Sequence, residues 1–362
     1  MSDYPKNNFS YGPGGQVPLL TAEKVGTEEF IVNMGPQHPS THGVCRLLLK
    51  MDGEVIPYTD RIDYVSAMFC NHGFCMAVEK LAEIEVPERA EYIRVIMDEL
   101  NRIASHLIWL GTFALDLGAI TPFLYCFRER EMILDLFEMT CGQRMTFNYM
   151  RAGGVSRDLP EGFISKAKEF VKYFKPRVDE YEAILTENPI FLGRTKGVGI
   201  LDKKTAIDYS VTGPNLRATG LKWDLRKEEP YSVYDRFEFD IPTGTKSDTW
   251  DRYIVRVQEM RQANRIVEQA LESIPEGEIK TKTKPVFKPP QGEAYVRIES
   301  TRGEMGFYIV SEGEKTMPYR AKLRTASFSN LAALPEMTRG WKIADLVVIF
   351  ASLDVIMPDV DR

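Results

Sequence analysis

The chain has 362 residues, 44% hydrophobic and 27% charged, which is enough apolar material for one elaborate domain or two and too much for a disordered chain. Its net charge of −6 comes with basic residues spread along the whole length, so there is no nucleic-acid footprint. Five cysteines, none in a CxxC pair, speak against a disulfide framework and for free, buried thiols in a reducing compartment.

Residues 1–27 are polar and rich in Pro and Gly, the pattern of an extended arm that orders against other surfaces, and they lack the basic start and apolar run of a secretion signal. Residues 28–61 predict a small N-terminal β-sheet: "EEFIVNM" and "VCRLLLKMDGEVI" read as strands, "GPQHPSTHG" as the loop between them, and Asp52-Gly53 as a hairpin turn. From 62 to 275 the period becomes helical. Ile93, Ile96, Leu100, Ile103, Leu107 and Leu110 fall at three- and four-residue steps, with Arg94, Asp98, Glu99 and Arg102 between them, after Pro87 near the start. A second helix is expected after "ITP", with Thr121 as cap and Pro122 in the first turn; others are expected at about 161–186 and 248–273.

Residues 276–362 begin with the Lys/Pro linker "KTKTKPVFKPPQGE" and continue with alternating "AYVRIE", "GFYIV" and "YRAKLR", a second small sheet followed by a C-terminal helix and tail. The longest apolar run, "ADLVVIFASLDVIM", carries Asp345 and Asp354 and is too short to span a membrane. The class is α+β: a mainly helical bundle with small N-terminal and C-terminal antiparallel sheets, one continuous functional domain.

His38, His42 and Cys45 suggest a metal site, but a structural zinc site wants four ligands and no second cluster follows. No metal is therefore expected on this chain. Cys70, His72 and Cys75 sit on a predicted helix among apolar neighbours and read as core. No GxGxxG, no P-loop and no nucleophile elbow is present, so nucleotide binding and serine hydrolysis lack support. Tyr64 in "PYTDRIDYVSAM" and Asp116 in "ALDLGAITP" are left unexplained by helical patterning, and an Asp among apolar neighbours is either partnered or functional.

"NMGPQHPSTHGVCRLLL", "PYTDRIDYVSAM", "ELNRIASHLIWLGTFALDLGAITPF", "REREMILDLFE", "GGVSRDLPEGF", "WDLRK" and "SLDVIMPDVDR", in this order, resemble the D-subunit family of NADH-quinone oxidoreductase, respiratory complex I, from about residue 28 onward. That family is related to the large subunit of nickel-iron hydrogenases. The resemblance implies a hydrogenase-like cavity emptied of metal, because "HPSTHG" and "DVIMPDVDR" stand where hydrogenases place their CxxC pairs. It implies a quinone substrate, received beside a 4Fe-4S cluster held by the partner B subunit, with the C subunit and the membrane-arm subunits as further partners. It also implies a peripheral position on the cytoplasmic side of a bacterial-type membrane, contacted through those partners, and coupling to proton translocation.

Residue by residue, the resemblance makes His42 and Tyr64 the quinone hydrogen-bond donors and Asp116 the carboxylate paired with His42. Two-electron reduction of a quinone produces oxyanions, which a phenol of pKa about 10 and an imidazole of about 6.5 can stabilise and protonate. His38 is expected to shape the loop, and His106 to be a satisfied helix histidine. Arg302 and Glu304, in "ESTRGEMGFYIV", resemble a family hairpin near the cavity, an ion pair or a step on a proton path.

The sequence departs from the family in two places. After Ile56 the family continues through a helical segment like "IGYLHRGxEK", whereas here "PYTDRIDY" follows at once. A true deletion and a natural chain longer than this sequence both account for this, and only the second predicts an intact mass well above 41.3 kDa. Ser156 stands where some members have a histidine, which suggests a lower-potential cluster and menaquinone. The rival readings are a hydrogenase-like large subunit, which stoichiometric nickel would reveal, and a non-catalytic scaffold subunit, in which a quinone analogue would not contact His42 and Tyr64.

Overall fold

The structure is a computed structural model that describes the strands at 29–34 and 47–52 and residues 55–282, 288–313, 315 and 318–361. The chain forms two compact units, Met1–Glu54 and Val55–Arg362. In the first, β1 (Glu29–Met34) pairs antiparallel with β2 (Leu47–Asp52), Glu29 opposite Asp52 and Met34 opposite Leu47. The loop between them, with His38, His42 and Cys45, lies outside the described residues. Asp52 ends β2, and α1 (Ile56–Thr59) follows where the second arm of an Asp52-Gly53 hairpin was expected.

The second unit is built on α2 (Ala67–Ala82), α3 (Glu88–Asp116), α4 (Ile120–Cys141), then, after the two-residue strands β3 (Met150–Arg151) and β4 (Gly154–Val155), α5 (Phe163–Leu185). Four short helices follow, α6 (Pro189–Thr195), α7 (Lys203–Asp208), α8 (Gly213–Arg217) and α9 (Leu225–Glu228), and then the long α10 (Thr249–Ser273). An antiparallel sheet of β5 (Gly292–Ser300), β6 (Gly303–Ser311) and β7 (Arg320–Arg324) precedes α11 (Ala326–Ala332), α12 (Leu334–Thr338), α13 (Ile343–Ser352) and α14 (Met357–Asp361). Among the described residues no helix is long and apolar enough to cross a membrane.

α3 is the axis of this unit. Its six periodic apolar residues, Ile93 through Leu110, are buried, as the spacing predicts. The polar residues between them are buried too. Glu99 accepts from Arg102 Nε at 3.1 Å, Arg226 Nη1 at 3.1 Å and the Tyr234 hydroxyl at 2.7 Å, so the helix is enclosed on every side and its charges are paired inside the core. Glu88 and Glu91 in its first turn complement the helix dipole. α4 begins at Ile120 with Ala119 at the cap, two residues before the expected cap Thr121, and Ala119 offers no side-chain cap bond.

Expected helices at 161–186 and 248–273 appear as α5 and α10, the latter capped by Asp248, which accepts from the Asp251 backbone N–H at 2.9 Å. Asn264 of α10 donates to the Val171 carbonyl of α5 at 3.1 Å, tying the two helices together. One face of α13 is left without cover among the described residues: Ile343, Leu346, Val347 and Phe350, at i, i+3, i+4 and i+7, are exposed while Val348 and Ile349 are buried.

α2 packs directly on β6, close enough that a Cβ on Gly73 would run into the Phe307 ring. The β5–β6 turn, Thr301-Arg302, is equally tight. Gly303 has φ +129°, and a Cβ there would collide with Thr212 Oγ1 and lie 2.6 Å from the Gly213 nitrogen, so backbone faces backbone and neither side can yield. Gly303→Ala is therefore expected to cost about 3 kcal/mol from strain and overpacking together. Gly162→Ala, at φ +82° with open space around it, should cost about 1 kcal/mol. Urea denaturation of the two variants checks both values.

Candidate functional site

The candidate site grows from the turn between α1 and α2. Asp63 is buried there, and its Oδ1 accepts from the backbone N–H groups of Val65 at 3.2 Å and Ser66 at 3.3 Å, which closes the turn and starts α2. Asn101 of α3 braces it from below: its amide donates to the Val65 carbonyl at 2.9 Å and accepts from the Met68 N–H at 3.2 Å. Asp60, also buried, accepts from the Asn148 N–H at 3.1 Å. Tyr64, half-buried, sits between these anchors, and among the described residues no group engages its hydroxyl.

Arg302 reaches the same turn from the β5–β6 hairpin. Its Nη1 donates to Asp63 Oδ2 at 2.7 Å, Ser66 Oγ at 2.8 Å and Thr301 Oγ1 at 2.8 Å, and its Nη2 to Asp354 Oδ1 at 3.3 Å. Glu304 is not its partner. Two residues along the chain, Glu304 pairs with Arg324 Nη1 at 3.3 Å and Arg297 Nη1 at 3.5 Å, so the two hairpin residues serve different ion pairs. From the C-terminal turn, Asp359 Oδ2 accepts from the Ser327 N–H at 2.7 Å.

Burial governs the protonation of this cluster. It pushes Asp60 up to about 6 against the bond from Asn148, and Asp359 up to about 7 with help from the nearby Asp63 charge. Asp63 is raised as well, burial outweighing the Arg302 guanidinium, with Asp354 adding repulsion. Arg302 is held far above the usual arginine range by Asp354 and Asp63, in spite of its burial.

Asp116 is the last residue of α3 and is exposed, with its carboxyl raised by partial desolvation. Leu115 before it in the chain, and Ile120 and Leu124 at the start of α4, are exposed as well. It stands fifteen residues past Asn101, about 22 Å along the helix axis, so it does not touch the Tyr64 turn. His42 and His38 lie outside the described residues, and the pairing of His42 with Asp116 goes untested.

The other histidines are core groups. His106 Nε2 is 3.0 Å from Glu259 Oε2, and burial lowers its pKa toward the neutral ring. His72 Nδ1 is 2.7 Å from Asp98 Oδ2, with Ser232 Oγ 3.1 Å from Nε2. Cys70 and Cys75 are buried on α2, and burial pushes the Cys75 thiol up to about 12, far from the thiolate a metal would need. Among the described residues no three His, Cys, Asp or Glu side chains form a metal-binding group.

Sequence reasoning missed Asp60, Asp63, Asp354 and Asp359 as members of the site. The signal was there: the first two lie just before Tyr64 in "PYTDRIDY", and the others lie in "SLDVIMPDVDR".

With Asp60 raised to about 6, the folded chain holds a proton that the unfolded chain has already released. The stability this gives is complete below the ordinary carboxyl range and is lost as pH rises through about 6. Roughly two pK units correspond to about 3 kcal/mol. Asp60→Asn, which keeps an acceptor for Asn148, is expected to flatten the fall in stability between about pH 4 and 7, as read from denaturation curves across that range.

The family model described as respiratory-chain NADH dehydrogenase, 49 Kd subunit, matches residues 116–289 and 280–362. The NADH-quinone oxidoreductase D subunit of Desulforamulus reducens is 52% identical over 364 residues, covering 93% of this chain and 99% of that protein. The corresponding D subunits of Bacillus anthracis and Dehalococcoides mccartyi are 52% and 53% identical, each covering 93% of this chain and 100% of its own length. Since 93% of 362 residues is about 337, an alignment of 364 positions leaves about 27 positions of the Desulforamulus protein without a counterpart here.

Proposed function

Because the chain belongs to the family of the 49-kDa subunit of respiratory-chain NADH dehydrogenase, the D subunit of NADH-quinone oxidoreductase, and so works as an oxidoreductase subunit within that complex, we propose that it forms the quinone-reducing site. A 4Fe-4S cluster held by the partner B subunit would supply the electrons. Tyr64 donates a hydrogen bond and then a proton to one quinone oxygen; His42, oriented by Asp116, serves the other, and His38 supports their loop. The observation that supports this reading is the mounting of Tyr64: a half-buried phenol on a turn fixed at Asp60, Asp63 and Asn101, whose hydroxyl no group engages among the described residues.

This mounting supplies what the reaction needs. A donor held before the substrate arrives stabilises the developing oxyanion without having to reorganise. The quinone leaves as quinol after two electrons and two protons, and the charge left on the donors is what the complex couples to proton translocation. Ser156, exposed just past β4, offers no titratable group to the partner's cluster, which favours menaquinone. The chain meets the membrane through its partners on the cytoplasmic side, with the C subunit and the membrane-arm subunits around it.

Tyr64→Phe keeps the ring and removes the donor. It is expected to lower quinone reduction by about a hundredfold or more while the complex assembles and its iron-sulfur chain is still reduced by NADH. Wild-type quinone turnover in that variant would refute the assignment.

A further inference from the structure

His72, Asp98 and Ser232 have no part in the quinone-site reading, and no linear motif records them. They come from α2, α3 and the loop after α9, with 160 residues of chain between His72 and Ser232. The fold sets them in a row. His72 Nδ1 lies 2.7 Å from Asp98 Oδ2, and the Ser232 hydroxyl lies 3.1 Å from Nε2 on the other side of the ring. A carboxylate only accepts, so Nδ1 carries the ring proton, Nε2 keeps its lone pair, and the Ser232 O–H donates to it. By this connectivity an imidazole activates a serine, and such arrays are recognised by geometry rather than by position in the chain.

The surroundings suit that chemistry. Ser232 has φ +50°, a backbone region that residues other than glycine rarely adopt, and strain of this kind gathers at functional sites. His72 and Asp98 are fully buried, whereas Ser232 is half-buried on a loop whose residues 227–230 and 235–236 are exposed, so the array meets the surface at its serine. The Tyr231 ring stands edge-on to the imidazole, 6.0 Å between centroids, and holds it from the loop side. Asp98 Oδ1 is buried with no partner among the described residues, which leaves the His72 ring as the group that compensates the carboxylate. A buried anion of this sort favours the cation that His72 becomes on taking the serine proton. The Val233 N–H bonds to no backbone carbonyl among the described residues, and it belongs to the residue after the serine, the position from which nucleophile-elbow sites donate to an oxyanion.

We propose that Ser232 is a nucleophile activated by His72 and Asp98, a covalent modification site that accepts an acyl group from small activated esters or thioesters. The ring behind it is enclosed, so the electrophile arrives from the outer side of the loop and brings a good leaving group with it. In the reaction the Ser232 O–H bond breaks and its proton moves to His72 Nε2, while a bond forms between Oγ and the acyl carbon. The bond from that carbon to the leaving oxygen or sulfur then breaks, and the leaving group takes the proton from His72. Nothing is oxidised or reduced, and the product is an ester on Ser232. Asp98 touches no reacting atom and is a positioning residue that fixes the ring tautomer. This site works whether or not Tyr64 is the quinone donor.

The test treats the assembled complex in its membrane with an alkyl fluorophosphonate, which leaves a stable Oγ–P bond as fluoride departs, and reads the digested chain by mass spectrometry. Ser232 should be labelled about a hundredfold faster than any other serine of the chain. No adduct at Ser232, or one that forms no faster than on the other serines, overturns the assignment, and this wild-type measurement does not depend on any variant assembling. Excess 4-nitrophenyl acetate, the acyl probe, should acetylate Ser232 and slow the phosphonyl adduct; labelling unchanged in its presence overturns acyl acceptance. His72→Gln removes the base, and Asp98→Asn removes the carboxylate that keeps the ring proton on Nδ1. Each should slow labelling of Ser232 by about a hundredfold, and wild-type labelling in either variant overturns activation by these two residues.

Discussion

The contact between Asp63 and Arg302 joins the two ends of the large unit. Asp63 belongs to the turn before α2 and Arg302 to a hairpin 239 residues later, yet 2.7 Å separates their charged atoms, and the position of Tyr64 depends on that pair. On one side the Asp63 carboxylate closes the turn through two backbone N–H groups; on the other the guanidinium holds the C-terminal segment through Asp354. The hairpin can enter only because Gly303 and Gly213 let two backbones meet. A single buried cation thus sets the spacing of three segments that carry, or lie beside, the candidate chemistry.

The same arrangement recurs through the bundle. Arg94, Arg102, Arg217, Arg226, Arg252 and Arg256 are fully buried, as are Glu99, Asp224, Glu259 and Glu299. Arg217 alone joins Glu259 and Glu299 at 2.8 Å each, while Arg226 joins Asp224 at 2.7 Å and Glu99 at 3.1 Å. Such pairs gain little over well-packed apolar groups, because each ion has to leave water, but losing one partner strands the other at a cost of about 3–5 kcal/mol. The network therefore acts more on uniqueness than on total stability: with so many directional bonds to satisfy, a shifted register of α3 or α10 leaves charges unpaired.

Periodicity is enough to find the long helices, since apolar residues at three- and four-residue steps in α3 and α10 face inward. It is a poor guide to Arg94, Asp98, Glu99 and Arg102, because polar residues between apolar ones look like a solvated face unless the helix is enclosed by its neighbours. Tyr64 is legible as an oddity and through family resemblance. Its surroundings are not, since Asp354 and Asp359 reach Arg302 and Ser327 through the tertiary fold rather than through any local pattern. Arg302 and Glu304 look like a pair by proximity in sequence; the turn at Thr301-Arg302 sends them to different partners.

The bare stripe on α13 bears on how this polypeptide behaves before it has company. Ile343, Leu346, Val347 and Phe350 form an apolar ridge on the last long helix that nothing among the described residues covers, and Trp341 adds to it at the helix entry. Synthesis of this chain in excess over other subunits leaves that ridge wet, and wet ridges of this kind find one another. Its production in the cell is then a matter of stoichiometry and timing as much as of folding, with unassembled copies falling to aggregation or to proteolytic quality control.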